Sequence, residues 1–186
     1  MRETLVNWLP HVMERLPDLW EALADTLLMV LWSGAVSFLL GMLLGVLLTV
    51  TRPGNILENR PLYQIVDKAV SLFRSIPFII LLTWVMPLSR TLMGTTLYVR
   101  GAIVPLVFGS LPFFSRQVES ALAELDRGLV EAALSMGSSP WEIIFRVYLR
   151  ESVAAIARGT TITLVSLLNL TAMAGVVGAG GLGDFA

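Results

Sequence analysis

The sequence predicts an all-α, polytopic membrane protein with about four transmembrane helices in this chain and two short helices outside the bilayer between the third and fourth. Three observations carry that expectation. The 186 residues are 55% hydrophobic and only 15% charged, with mean hydropathy +0.76, too apolar for a soluble domain of this size. Residues 26–51 contain no charge at all, a run longer than the roughly 20 residues that cross a hydrocarbon core. The remaining charges gather in connectors that alternate with further uncharged stretches.

Residues 1–20 read as an N-terminal interfacial segment, with Leu5, Leu9, Val12, Leu16, Leu19 and Trp20 at helical spacing and with Pro10 and Pro17 as interruptions. No positively charged start followed by an apolar core and a small-residue cleavage site marks a signal peptide. The membrane domain then occupies residues 21–186. Its first span, residues 26–51, carries Gly41 and Gly45, a GxxxG pair that lets another helix approach closely. A second span is expected from about Leu62 to Pro87. Pro77 inside it leaves the carbonyl four residues earlier without its donor, which kinks a helix. Arg74 beside it has two readings, an anchor that snorkels to the headgroups or a group on a passage through the bundle. The third span is expected at about residues 101–115, irregular because of Pro105, Gly109 and Pro112, with Arg116 opening a long loop.

The fourth span runs from Gly159 into Gly175. Thr163, Ser166, Asn169 and Met173 fall in an arc of roughly 120° at 100° per residue. This stripe either hydrogen-bonds between helices or lines a passage. The glycine-rich run after it matches GxGxxG at Gly178, Gly180 and Gly183, yet no strand precedes it, so it reads as flexible or closely packed backbone.

Composition and motif content exclude several functions. A net charge of −1 argues against nucleic acid as a partner, and a chain without cysteine and with His11 as its single histidine has no thiolate or histidine metal cluster. The sequence has no GxxxxGK[ST], HExxH or GxSxG, so no catalytic residues are expected in this chain, nor any cofactor of its own. No ionisable residue stands at the expected mid-depth of a span, which disfavours an ion-coupled carrier.

The longest charge-bearing segment, about residues 121–150, reads locally as helix, stop, helix. Ala132, Ala133, Leu134 and Met136 favour a helix, and Gly137 suits the left-handed position that ends one. Ser139, Pro140 and Glu142 then form the start of the next, with Pro140 at its first position and Ser139 and Glu142 as a capping box. Glu131-Ala132-Ala133, three residues, Gly137, nine residues and the pair Val147 and Leu149 resemble the EAA loop of ABC importer permeases. In that family the run commonly ends Ile-x-Leu-Pro, whereas Val147 and Arg150 stand here.

The stretches 51–54, 73–82 and 178–183 resemble the methionine importer permease family within that group. The resemblance implies a bacterial inner-membrane subunit working as a homodimer with two cytoplasmic ABC ATPase subunits, which bind ATP and Mg, and an extracytoplasmic substrate-binding protein. It implies docking on the ATPase through Glu131, Ala132, Ala133, Gly137, Pro140, Val147 and Leu149. It also places Thr163, Ser166, Asn169 and Met173 along a substrate path or gate, for which Arg74 and Pro77 are further candidates. The family has five spans, one more than is read here. The alternatives are a permease for another amino acid or small solute and a membrane anchor or channel subunit that merely holds a partner. Lys and Arg number nine in the first and third connectors against four in the N-terminal segment and second connector, so the positive-inside bias puts the EAA loop in the cytoplasm and the N-terminus outside.

Overall fold

The computed structural model describes residues 15–186, and these are helical almost throughout, with no strand among them. Most of the expected N-terminal interfacial segment lies outside the described residues. Its last residues belong instead to the first helix, α1 (Leu16–Thr51), in whose first turn Pro17 sits without disrupting any intrahelical bond. α1 is 36 residues long, about 54 Å at 1.5 Å per residue, and so overshoots the bilayer core.

The second expected span is two helices. α2 (Arg60–Ser75) and α3 (Phe78–Met93) meet at a bend of 111°. The local cause is Pro77. A residue before proline is driven out of the α region, and Ile76 accordingly takes φ −83°, ψ 124°, while Pro77 becomes the residue just ahead of α3. What the sequence suggests as a kink inside one helix is therefore a complete break.

α4 (Tyr98–Ala123) runs eight residues past the expected end of the third span, so Arg116 lies within a helix and not at the start of a loop. Two prolines do not break it. Pro105 has no N–H for the Gly101 carbonyl, and the buried Ser89 hydroxyl of α3 donates to that carbonyl at 2.6 Å. α1 packs along α4 as the most extensive helix pair of the fold. A Cβ built on Gly41 would come within 2.8 Å of the Phe114 ring, and one on Gly45 within 2.5 Å of Val118 and 2.8 Å of the Ser115 carbonyl. The GxxxG pair is thus spent inside the chain. Ser37 and Ser110 share a hydrogen bond of 2.7 Å across the same seam.

Beyond α4 come α5 (Arg127–Ser135), α6 (Pro140–Glu142), a π-helical stretch (Ile143–Tyr148) and α7 (Leu149–Glu151). α8 (Val153–Ala174) is the last span, continued by π-helical backbone over Gly175–Ala179 and closed by α9 (Leu182–Phe185). The glycine-rich run is closely packed. Gly180 and Gly181 hold φ of +76° and +80° with ψ near 180°, a region open only to glycine, and a Cβ on Gly181 would meet Met29 and Thr26 at 2.7 Å. The Leu182 amide donates to the Thr26 hydroxyl at 2.9 Å, which ties the end of the described chain to α1. Among the described residues, three helices are long and apolar enough to span a membrane, and a fourth crossing is present if the bent pair is one span.

The buried apolar residues form two clusters. One gathers Met29, Leu81, Leu82, Val85, Leu106 and Leu167 between α1, α3, α4 and α8. The other joins Phe114, Val118 and Leu122 of α4 to Val130, Ala133, Ile143 and Tyr148 of the segment that follows.

Candidate functional site

The segment 127–151 stands on the second cluster, and its helices start and stop on local bonds. The Asp126 carboxylate accepts from the Gly128 amide at 2.9 Å and caps α5. α5 ends in a Schellman turn: the Ser138 amide donates to the Ala133 carbonyl at 3.1 Å and the Gly137 amide to that of Leu134 at 2.9 Å, with Gly137 at φ +79°. The capping box forms as well. The Glu142 carboxylate accepts from the Ser139 amide and hydroxyl, both at 2.9 Å, and the Ser139 hydroxyl accepts from the Glu142 amide at 3.4 Å. These bonds from Ser139, and then the nearby Arg146 guanidinium, hold the Glu142 carboxyl below its ordinary range.

The structure divides the residues of the motif between two faces. Ala133 is buried against the second cluster, and Val147 and Leu149 pack against the same cluster half-buried. Glu131, Ala132 and Gly137 face outward, with Pro140 half-buried. Around them stand apolar side chains that the spacing of the motif does not single out. Met136 is 79% exposed, Trp141 67% and Phe145 63%, beside Leu129 and Leu134. Together they form an exposed apolar patch on this segment.

The second helix of the segment departs from the expected α geometry. Its π-helical stretch puts Ile143 and Tyr148, five residues apart, on one buried face. The Tyr148 hydroxyl donates to the Asn55 side-chain oxygen at 2.9 Å, while the Asn55 amide donates to the Thr49 carbonyl at 2.8 Å. Asn55 therefore joins the segment to the end of α1. Only its side-chain amide, able to donate and accept at once, hints at this in the sequence.

The expected path residues separate. Arg74 and Ser166 line one cavity of about 230 Å³ at the break between α2 and α3, with Phe73, Phe78, Phe113 and Leu170. Pro77 is next to it in the chain as the residue before α3. Thr163 is buried on the side of α8 that faces α1, and its hydroxyl donates to its own helix at the Gly159 carbonyl, 2.8 Å away. Asn169 and Met173 are exposed on α8. An arc of roughly 120° is wide enough to straddle the edge between packed and open faces.

The exposed Arg74 guanidinium lies 6.0 Å from the centre of the Phe113 ring. Arg116, one turn from Phe113, donates to the Asp67 carboxylate at 2.5 Å, to Ser71 at 2.9 Å and to Glu119 at 2.6 Å, clasping α2 to α4.

The family described as binding-protein-dependent transport system inner membrane component matches residues 37–186. The D-methionine transport system permease protein MetI of Yersinia pestis is 49% identical over 151 residues, 81% of this chain and 70% of that protein. The protein of the same name from Escherichia coli (strain K12) is 48% identical over 156 residues, 84% of this chain and 70% of that one. Among solved structures, one described as inward facing conformations of the MetNI methionine ABC transporter superposes with a TM-score of 0.90 at 46% identity, covering 92% of this chain and 79% of the other. An apolar bundle carrying a capped, glycine-hinged segment outside it, matched over residues 37–186, has one reading: this chain belongs to the family of binding-protein-dependent transport system inner membrane components.

Proposed function

We propose that the chain is the membrane-spanning permease subunit of an ATP-driven importer that moves methionine, L- and D-, across the bacterial inner membrane. The observation that carries this reading is identity of nearly one half to D-methionine transport permeases over more than four fifths of the chain. Segment 127–151 is the handle by which two cytoplasmic ABC ATPase subunits, holding ATP and Mg, grip a homodimer of this chain. The outward set of Glu131, Ala132, Met136, Trp141 and Phe145 meets the ATPase, while Ala133, Ile143 and Tyr148 carry its movement into α4 and, through Asn55, into α1. Closure of the ATPase then biases a bistable bundle between inward- and outward-open states. An extracytoplasmic binding protein supplies the substrate.

The excess of Lys and Arg in the two connectors on the side of the handle supports a cytoplasmic handle and an outside N-terminus. The chemistry of hydrolysis resides on the partner, and this chain supplies the path. Reconstitution with the ATPase and binding protein in vesicles tests the reading: ATP-dependent uptake of labelled L-methionine, competed by D-methionine, is the expected result. Uptake that ignores ATP, or ATP-driven uptake that neither enantiomer competes, refutes it.

A further inference from the structure

The cavity at the α2–α3 break contains one ionisable side chain, Arg74, and one hydroxyl side chain, Ser166, in an otherwise apolar and largely aromatic lining. Among the described residues no carboxylate lies within ion-pair reach of Arg74, whereas Arg116, one turn along α4 from Phe113, has two. Arg74 is exposed, with its guanidinium 6.0 Å from the centre of the Phe113 ring, so it is free to meet an anion from the cavity. A single cation facing aromatic side chains across a recess complements a ligand with one anionic end and an apolar body. At about 230 Å³ the recess is a little below the range of drug-sized sites, in keeping with a small metabolite.

We propose that this cavity is a substrate subsite in the wall of the permease, in which Arg74 takes the carboxylate of an α-amino acid and Phe73, Phe78 and Phe113 take its apolar side chain. This rests on the permease reading above and adds what the path recognises. Guanidinium meets carboxylate through two parallel N–H donors, and a thioether or alkyl chain packs well on aromatic edges. The break itself makes the room. Were α2 and α3 one helix, Phe73 and Phe78 would follow a single axis, and the 111° bend turns them around a common recess.

The test uses the complex of this chain with its ATPase in lipid nanodiscs without binding protein, photolabelled by a diazirine analogue of L-methionine. Labelled peptides are expected within 73–81, 109–113 or 166–170. Methionine is expected to compete, and methioninol, which has an alcohol in place of the carboxylate, is not. Arg74→Gln should lower labelling by about ten- to a hundredfold, the range for losing a charge-assisted hydrogen bond, and Arg74→Lys should restore part of it. Labelling confined to other peptides, equal competition by methioninol, or unchanged labelling of Arg74→Gln overturns the subsite. Competition in the unsubstituted protein decides the matter even if Arg74→Gln does not assemble. Uptake of methionine by unsubstituted vesicles separates the two levels: intact uptake with failed labelling sinks the subsite alone, and absent uptake sinks the permease reading.

Discussion

The handle and the bundle beneath it are stabilised in opposite ways. Between Arg127 and Glu151 each helix begins or ends on a bond made within a few residues: Asp126 to Gly128, Ser138 to Ala133, Ser139 to Glu142. In the bundle the decisive contacts join residues far apart in the chain, such as Gly45 with Val118, Ser89 with Gly101 and Asp67 with Arg116. A locally capped segment keeps its shape as a rigid piece while its seat moves. A bundle held by long-range contacts moves only by exchanging them. That division suits the proposed coupling, in which one part receives force and the other changes state.

The comparison breaks most visibly at Gly45. Gly45→Leu should push α1 off α4, because even a Cβ there would meet Val118 at 2.5 Å and the Ser115 carbonyl at 2.8 Å. Overpacking of this kind costs about 1–3 kcal/mol or more, and here one contact is backbone that cannot turn aside. The expected outcome is loss of monodisperse protein on size exclusion in detergent. Gly34→Ala is the control, since its Cβ would meet only Leu167 and Leu164 side chains, at 3.5 and 3.7 Å, and should behave as the unsubstituted protein.

Gly137→Val should do the reverse, leaving the bundle folded and removing coupling. No atom lies within 4 Å of a Cβ at Gly137, so the penalty comes from φ of +79° alone, roughly 1–2 kcal/mol for an L-residue and more for a β-branched one. The melting temperature in detergent is expected to fall by only a few degrees while transport-linked ATPase activity falls to its basal level. Gly137→Asn, which tolerates the left-handed region, should retain most of the activity. A Val variant that transports normally would show that the hinge is not needed.

How much of this was legible in the sequence follows the same division. The Schellman turn, the capping box and Pro140 at the first helical position could all be read from residues 131–142, because the chemistry lies within one helical turn. The charge-free run of α1 and the close approach at Gly41 and Gly45 were legible too, though not which helix would fill the groove. The break at Pro77 was underestimated. Proline marks a disturbance locally, but whether a helix bends or stops depends on the neighbours that receive it, here Gly109 of α4 against Phe78. A charge after an apolar run reads as the end of a span, yet Arg116 lies within α4, where Asp67 from 49 residues earlier pairs with it. The Tyr148 to Asn55 link spans 93 residues, and only the two-way hydrogen bonding of the Asn55 amide hints at it. The polar stripe on α8 was visible as a stripe, but its division between Thr163, Ser166 and Asn169 was set by where α1 and α4 pack.

A smaller effect sharpens the bundle side of the comparison. Arg116→Met leaves Asp67 and Glu119 without their shared partner and should cost about 1–3 kcal/mol, the range for stranding part-buried polar groups. Asp67→Asn should cost less, because Arg116 keeps Glu119. Thermal unfolding of the two single variants and the double variant forms a cycle, and strong non-additivity is expected for residues in one network. Additive losses would mean that α2 is held to α4 by packing alone.

The smallest effect concerns acid and the handle. The Glu142 carboxyl is held below its ordinary value of 4.5 chiefly by hydrogen bonds from Ser139, so its ionised form is favoured in the folded protein over the unfolded one. The stabilising contribution is therefore complete at neutral pH and is lost only as pH falls below that ordinary value, through the lower folded one. Since the group is solvent-exposed, fraying of the first turn of α6 is expected, not unfolding. Hydrogen exchange of the reconstituted complex reads this directly: protection at 139–142, corrected for intrinsic rates, should fall as the medium is acidified below 4.5, while residues 41–45 of α1 should hold theirs. Ser139→Ala should abolish the protection of the Glu142 amide at every pH, because it removes the hydroxyl that accepts from it, while the backbone amide at 139 still donates to the Glu142 carboxylate. Protection that survives acid in the unsubstituted protein would mean that Pro140 and the packing of Ile143 suffice to start the helix, and that the handle depends on its seat as the bundle does.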